Sequence, residues 1–281
     1  MMQPVIFLNH GGGPLPLLGK QPGIANFLSS YLSTLSTPPP SSIIICSAHY
    51  ESASPSSVLI NSNPNPNINF DYGGFPDEAY EYTYNVPGHP ELARALAAKI
   101  NSGTATNVTA SLDPTGSWDH GVFVPLMLLS PSSLKIPVVS VSVIHGYSAA
   151  SHIALGAAIA DSRSVAGDNA LIVGSGSSFH SMRHFFAPNG PERTRGLEGA
   201  TKFDNWLQSV LCEDACTREE QLEDWRSADN ANEIAHPDGE GEHLVPLMFC
   251  AGAGAGAKAR AIKYEKTSPF DEFEMTAFEW T

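Results

Sequence analysis

Three short runs, PVIFL at 4–8, IIIC at 43–46 and ALIVG at 170–174, are apolar without interruption and rich in β-branched residues. A strand with one wet face would alternate apolar and polar residues. Runs that do not alternate belong to strands covered on both faces, the situation of a largely parallel sheet sandwiched by helices. Strands are expected at 4–9, 42–47, 107–111, 136–144, 170–174 and 259–264, with a last one near 274–280. Helical spacing separates them at 23–35, 90–100, 121–129, 149–162, 201–210 and 243–251. Pro90 suits a first helical turn. The small, apolar spacing of HIALGAAIA suits a helix lying against a sheet.

Such alternation implies an α/β fold: a central, mostly parallel or mixed β-sheet flanked by helices on both faces. No shift in composition marks a boundary, so residues 1–281 are expected to form a single domain. Two polar excursions stand out, NSNPNPNINFDYGGFPDE at 61–78 and the acidic segment 213–242 with room for one short helix. Long loops in compact domains are often functional.

Composition narrows the partners. A net charge of −14 leaves no excess of Lys and Arg to neutralise phosphates, which argues against nucleic acid and anionic membrane surfaces. The start MMQPVIFLNHGGG has neither the basic flank of a signal peptide nor the length of a membrane span, so a cytoplasmic protein is expected. Cys46, Cys212, Cys216 and Cys250 form no CxxC pair, and neither a disulfide framework nor a thiolate zinc site is indicated.

The ten histidines divide by context. His10 follows PVIFLN and precedes three glycines, and His49 ends the isoleucine strand. His120 sits in WDHGVF before a helix, His180 follows ALIVGSGSSF, and His243 opens the apolar helix of GEHLVPLM. Each alone could be a capping or core histidine. Five at strand exits or helix starts point to one place, because open α/β sheets bind ligands at the carboxyl ends of their strands. Neutral imidazole is a common ligand of zinc, iron and copper. His89, His145, His152, His184 and His236 lie in turns, polar loops or a helix, where a structural role is the simpler expectation.

Rival motifs fail on inspection. HSMRH lacks the glutamate of HExxH. HGGG could serve an oxyanion hole, but no GxSxG elbow accompanies it. GSGSS is neither GxGxxG nor a P-loop.

Taken in order, HGGGP, SAHYE, FDYGGFPDEAYEYTYNVPGHPELA, WDHGVFVPL, GSGSSFHSMR and EHLVPLM resemble the class III extradiol ring-cleaving dioxygenases, closest to the branch similar to DOPA 4,5-dioxygenase. The resemblance runs from about residue 5 to about residue 252. It implies one divalent metal ion, Fe(II) for activity with Zn(II) as an alternative occupant. Implied ligands are His10, His49 and a third from the EH motif, either His243 or Glu242. His180 is implied as a fourth ligand or an acid/base group, and His120 as the catalytic histidine facing substrate. The implied partners are a small aromatic catechol, DOPA-like or otherwise substituted, and O2, with a muconic semialdehyde as product.

Three departures bear on the substrate. HGGGP stands where the family has HGSP, SAHYE where it has SAHWE, and His180-Ser-Met-Arg183 where it has His-Asn-Leu-Arg. Tyr50, Phe75 and Arg183 are the candidate substrate contacts, Arg183 as a partner for a carboxylate. Asp119, beside His120, is a candidate to orient it. A zinc hydrolase and a metal-retaining binding protein remain as the other classes such a site would serve.

Overall fold

The computed structural model describes residues 2–103, 106–165, 169–228, 231–237, 241–254 and 256–281. Its strands are β1 (Val5–Asn9), β2 (Ser42–Glu51), β3 (Ser57–Asn61), β4 (Thr109–Asp113), β5 (Val138–Val143), β6 (Ala170–Gly176), β7 (Arg260–Lys263) and β8 (Thr276–Trp280). They form one eight-stranded sheet in the order β4-β3-β5-β2-β6-β1-β8-β7. The central strands β5, β2, β6 and β1 run parallel, while β8 pairs antiparallel with β1, β7 antiparallel with β8, and β3 antiparallel with β5. The sheet is therefore mixed, with a parallel centre. Every residue of β1, β5 and β6 is buried, as the unbroken apolar runs require.

The helices are α1 (Pro22–Thr34), α2 (Pro90–Ser102), α3 (His120–Leu129), α4 (Ala149–Val165), α5 (Met182–Phe185), α6 (Pro191–Leu211), α7 (Ala215–Glu223) and α8 (Val245–Ala253). One layer joins α1 to α3, which rests on β2 and β6; another joins α2, α4 and α8, with α8 on β6, β1 and β2. The small residues of HIALGAAIA turn out to meet a helix. A Cβ at Gly156 would lie 1.9 Å from the Phe249 carbonyl oxygen, and one at Gly252 would lie 1.9 Å from that of Ile153. Reciprocal glycines thus let α4 and α8 cross at backbone contact.

Differences from expectation are local. Strand β3 was hidden in ESASPSSVLIN, where only three apolar residues interrupt a Ser-rich stretch. The helix expected from 201 begins ten residues earlier at Pro191, because the positions its first half buries are Arg193, Gly196, Gly199 and Ala200, which show no large apolar period. The acidic segment contains α7 and a π-helical turn at Ala231–Ala235, while residues 229–230 and 238–240 lie outside the described residues. Among the described residues, no helix is long and apolar enough to cross a membrane.

His152 belongs to this framework. Its Nδ1–H donates to the Ser148 carbonyl at 2.7 Å and its Nε2 accepts from the Ile144 amide at 2.9 Å. Burial pushes its pKa down to about 4. The unfolded chain therefore binds this proton at a higher pH than the folded one. The stabilisation is complete above about pH 6.5 and erodes as pH falls toward 4, by ~1.4 kcal/mol per pH unit. Urea unfolding at pH 7 and pH 5 should show that His152→Leu flattens this dependence by about one proton relative to the unaltered protein.

Candidate metal centre

The parallel strands deliver the site. In the sheet β6 lies between β1 and β2, with Asn9 opposite Gly176 and Ser47 opposite Ser175. Continued by one and two residues, these registers bring His10 and His49 level with Ser177, on either side of the β6 exit. The His10 amide still donates to the Gly176 carbonyl at 3.1 Å. His243 arrives from the turn before α8, and its carbonyl accepts from the Ser177 amide at 2.9 Å. Gly176 permits that approach, because a Cβ there would lie 2.1 Å from the His243 oxygen.

Three imidazole nitrogens converge. The Nε2 atom of His49 lies 3.3 Å from that of His10 and 3.1 Å from that of His243. Two of the tautomers follow from the partners behind the rings. Ser175 Oγ donates its proton to the Gly121 carbonyl, so at 3.0 Å it accepts from His10 Nδ1–H. The Glu242 carboxylate accepts from His243 Nδ1–H at 3.0 Å. Both rings therefore aim a bare lone pair at His49, whose own Nδ1 faces Asp71 Oδ2 at 3.6 Å. A single proton on His49 could not satisfy both neighbours, whereas a cation at the common point satisfies all three. Metal–nitrogen bonds of ~2.1 Å at tetrahedral or octahedral angles would hold such nitrogens about 3.0–3.4 Å apart. The residues fit one divalent ion.

Burial, reinforced by the neighbouring imidazoles, holds His10 and His243 well below the ordinary histidine range. It pushes His49 down to about 3 against the opposing pull of Asp71. The rings are thus kept in the neutral form that binds metals.

The Ser175 link has a sequence origin. Pro125, inside α3, has no N–H for the carbonyl four residues back. That carbonyl belongs to Gly121, and Ser175 occupies it. A proline in one helix thereby fixes the tautomer of a histidine at the end of β1.

Asp71 is the residue that sequence reasoning missed. Its Oδ1 accepts from the His120 amide at 2.8 Å and its Oδ2 from His120 Nδ1–H at 2.9 Å, while it also faces His49. Burial alone would raise its pKa, but the bonds and charge from His120 hold it below the usual value. Asp119 does not orient the His120 ring; it caps α3 through the Val122 amide and accepts from Ser47 Oγ at 2.6 Å. Burial pushes Asp119 up to about 6. The signal for Asp71 was present in FDYGG, but pairing across 49 positions carries no local period. His180 stacks on His243, ring centroids 3.5 Å apart, with Nδ1 3.4 Å from Glu242 Oε1. Burial pushes it down to about 4.

All five histidines expected at strand exits or helix starts line a cavity of about 320 Å³, and Phe75 joins them. Two expected contacts do not arrive. Tyr50 turns to Asp113, donating at 2.9 Å, and Arg183 is exposed and paired with Glu192 at 2.6 Å. Neither lines the cavity. The remaining histidines have structural partners: His89 caps α2, His145 bonds Glu51, His184 bonds Ser181, and His236 bonds the Ser178 carbonyl.

An imidazole cluster at the carboxyl edge of a parallel sheet, opening on an apolar cavity, is the layout of a mononuclear metal enzyme. A family model described as the catalytic LigB subunit of aromatic ring-opening dioxygenase matches residues 9–273. The chain is 38% identical over 267 residues to dioxygenase tasH of Hapsidospora irregularis, covering 90% of this chain and 78% of that one. To 4,5-DOPA dioxygenase extradiol of Beta vulgaris it is 31% identical over 263 residues, covering 91% and 89%. The crystal structure of the uncharacterized protein JW3007 from Escherichia coli K12 superimposes with a TM-score of 0.73 at 20% identity, over 100% of both chains, which speaks for the fold. This chain belongs to the LigB family of class III extradiol ring-opening dioxygenases, enzymes that depend on a non-haem metal.

Removing the acceptor behind a ligand loosens the ligand. Ser175→Ala should weaken metal retention by ~10–100-fold against a competing chelator, with the circular dichroism spectrum unchanged.

Proposed function

We propose that this protein opens the aromatic ring of a catechol by extradiol insertion of both atoms of O2, giving a muconic semialdehyde. Fe(II) is the working ion in this reading, held by His10, His49 and His243. One observation carries the proposal: the three mutually facing Nε2 atoms stand at the wall of the same cavity as a fourth imidazole, His120, backed by a carboxylate.

A bound divalent ion supplies Lewis acidity that favours the deprotonated catechol and brings it together with O2. The chain's own groups manage the protons. Because His120 keeps its Nδ1–H on Asp71, its Nε2 is the basic atom and is suited to accept a phenolic proton. The Asp71 carboxylate then steadies the imidazolium and fixes the ring's orientation. His180, neutral through burial, offers a second site for proton transfer beside His243. Tyr72, its ring centroid 5.7 Å from His120 and 5.5 Å from Phe75, supplies an aromatic wall for the flat substrate.

Iron-replete preparations of His10→Ala, His49→Ala and His243→Ala should each lose bound iron by elemental analysis. His120→Ala should retain iron while its catechol-dependent oxygen uptake falls by ~10²–10⁴. Asp71→Asn should also retain iron, with a smaller loss of kcat and an altered pH profile. Full turnover in His120→Ala would remove that residue from the chemistry. Hydrolysis supported by zinc without oxygen demand would favour a hydrolase, and inertness with bound metal a binding protein.

A further inference from the structure

We infer that the catechol taken by this site carries an uncharged, apolar ring substituent and not an amino-acid or carboxylate side chain. This rests on the catechol reading above and names the substrate class within it.

Beyond the imidazoles and glycines, the wall is built mainly from Phe75, Phe179, Met182, Phe185, Phe186 and Met275. Among the described residues no Lys, Arg, Asp or Glu lines it. The residues outside the described set include no Lys or Arg, so they cannot add a cation. Three polar side chains do reach the wall, and each is committed elsewhere. Gln21 accepts from the Gly12 amide at 2.8 Å and donates to the Phe270 carbonyl at 3.3 Å. Ser177 Oγ donates to the Phe179 carbonyl at 2.6 Å, and Tyr72 Oη to that of Ala79.

The neighbouring arginines are engaged as well. Arg183 pairs with Glu192, and Arg193 lies against the Phe273 ring while donating to the Phe185 and Pro269 carbonyls and to Glu272. A carboxylate carried into this cavity would be desolvated and would meet no Lys or Arg side chain, and among the described residues an ammonium would find no carboxylate on the wall. Burying an unpaired charge is costly. The net charge of −14 adds long-range repulsion against anionic substrates.

The lip points the same way. Met182 and Phe186, 43% and 57% exposed, are large apolar side chains left in solvent beside the opening. An alkyl or aryl substituent extending from the ring would cover them.

The test compares 4-propylcatechol, 3-(3,4-dihydroxyphenyl)propionate and L-DOPA with iron-loaded protein. Oxygen uptake should give a kcat/KM for 4-propylcatechol ~10²-fold above either charged substrate. Calorimetry of the same three with zinc-loaded protein under argon should give the same order of affinity. Phe186→Arg, at the most exposed apolar position of the wall, should narrow the gap to the propionate at least tenfold. Equal or better turnover and binding of the propionate or L-DOPA would overturn the inference while leaving catechol ring opening intact. Absence of uptake with all three would overturn the ring-opening reading, and the order of affinities would still decide this one. If none of the three binds, both fall.

Discussion

The site hangs on where two protons are kept. His10 and His243 each carry their hydrogen on Nδ1, against Ser175 and Glu242, and that leaves unshared pairs pointing inward at His49. Each lies about 3 Å from the His49 Nε2, whose one proton could answer only one of them, whereas a cation at the common point serves all three. The outer partners therefore do more than steady the rings, because they turn the ring lone pairs inward, where they could bind a divalent ion. This need for neutral imidazoles explains two features of the surroundings: deep burial and adjacent like groups.

The scaffold meets that need with rigid elements. Three ligating candidates come from the end of β1, the end of β2 and the turn into α8, and all three packed elements converge on the exit of β6. Gly176 lets the His243 backbone lie against the strand, and the Gly156–Gly252 crossing holds α8 from behind. Strands packed on both faces cannot slip in register without breaking the interdigitated core, so the candidate ligand positions inherit the precision of that packing. Asn9 ties the arrangement together, accepting from the Ser178 amide and donating to Tyr264 and the Thr276 carbonyl.

Charge is layered around the cavity. Asp71 and Glu242 sit behind the imidazoles and address their Nδ1 atoms, while the wall that meets a substrate is aromatic and thioether-bearing. Among the described residues, Asp71 and Glu242 thus address the cavity through the histidines they orient. Such separation lets one site polarise the metal-facing end of a ligand and leave its far end in an apolar environment.

Much of this was legible in the chain. Unbroken runs such as IIIC and ALIVG forced strands covered on both faces, and a histidine placed just past such a run has nowhere to go but the sheet's carboxyl edge. That logic brought His10, His49 and His180 to the rim, and helix starts brought His120 and His243; all five line one cavity. Neighbours in space but not in sequence were hidden. The 49-residue reach from Asp71 to His120, the turning of Tyr50 to Asp113, the loss of Arg183 to Glu192 and the Pro125–Gly121–Ser175–His10 relay leave no period or motif. The sequence by itself determined which side chains reach the strand ends, because hydrophobic burial sets strand direction and depth. Only the tertiary structure decided which partner each side chain meets there, because hydrogen bonds and ion pairs are chosen by distances of a few ångströms that a linear order does not contain.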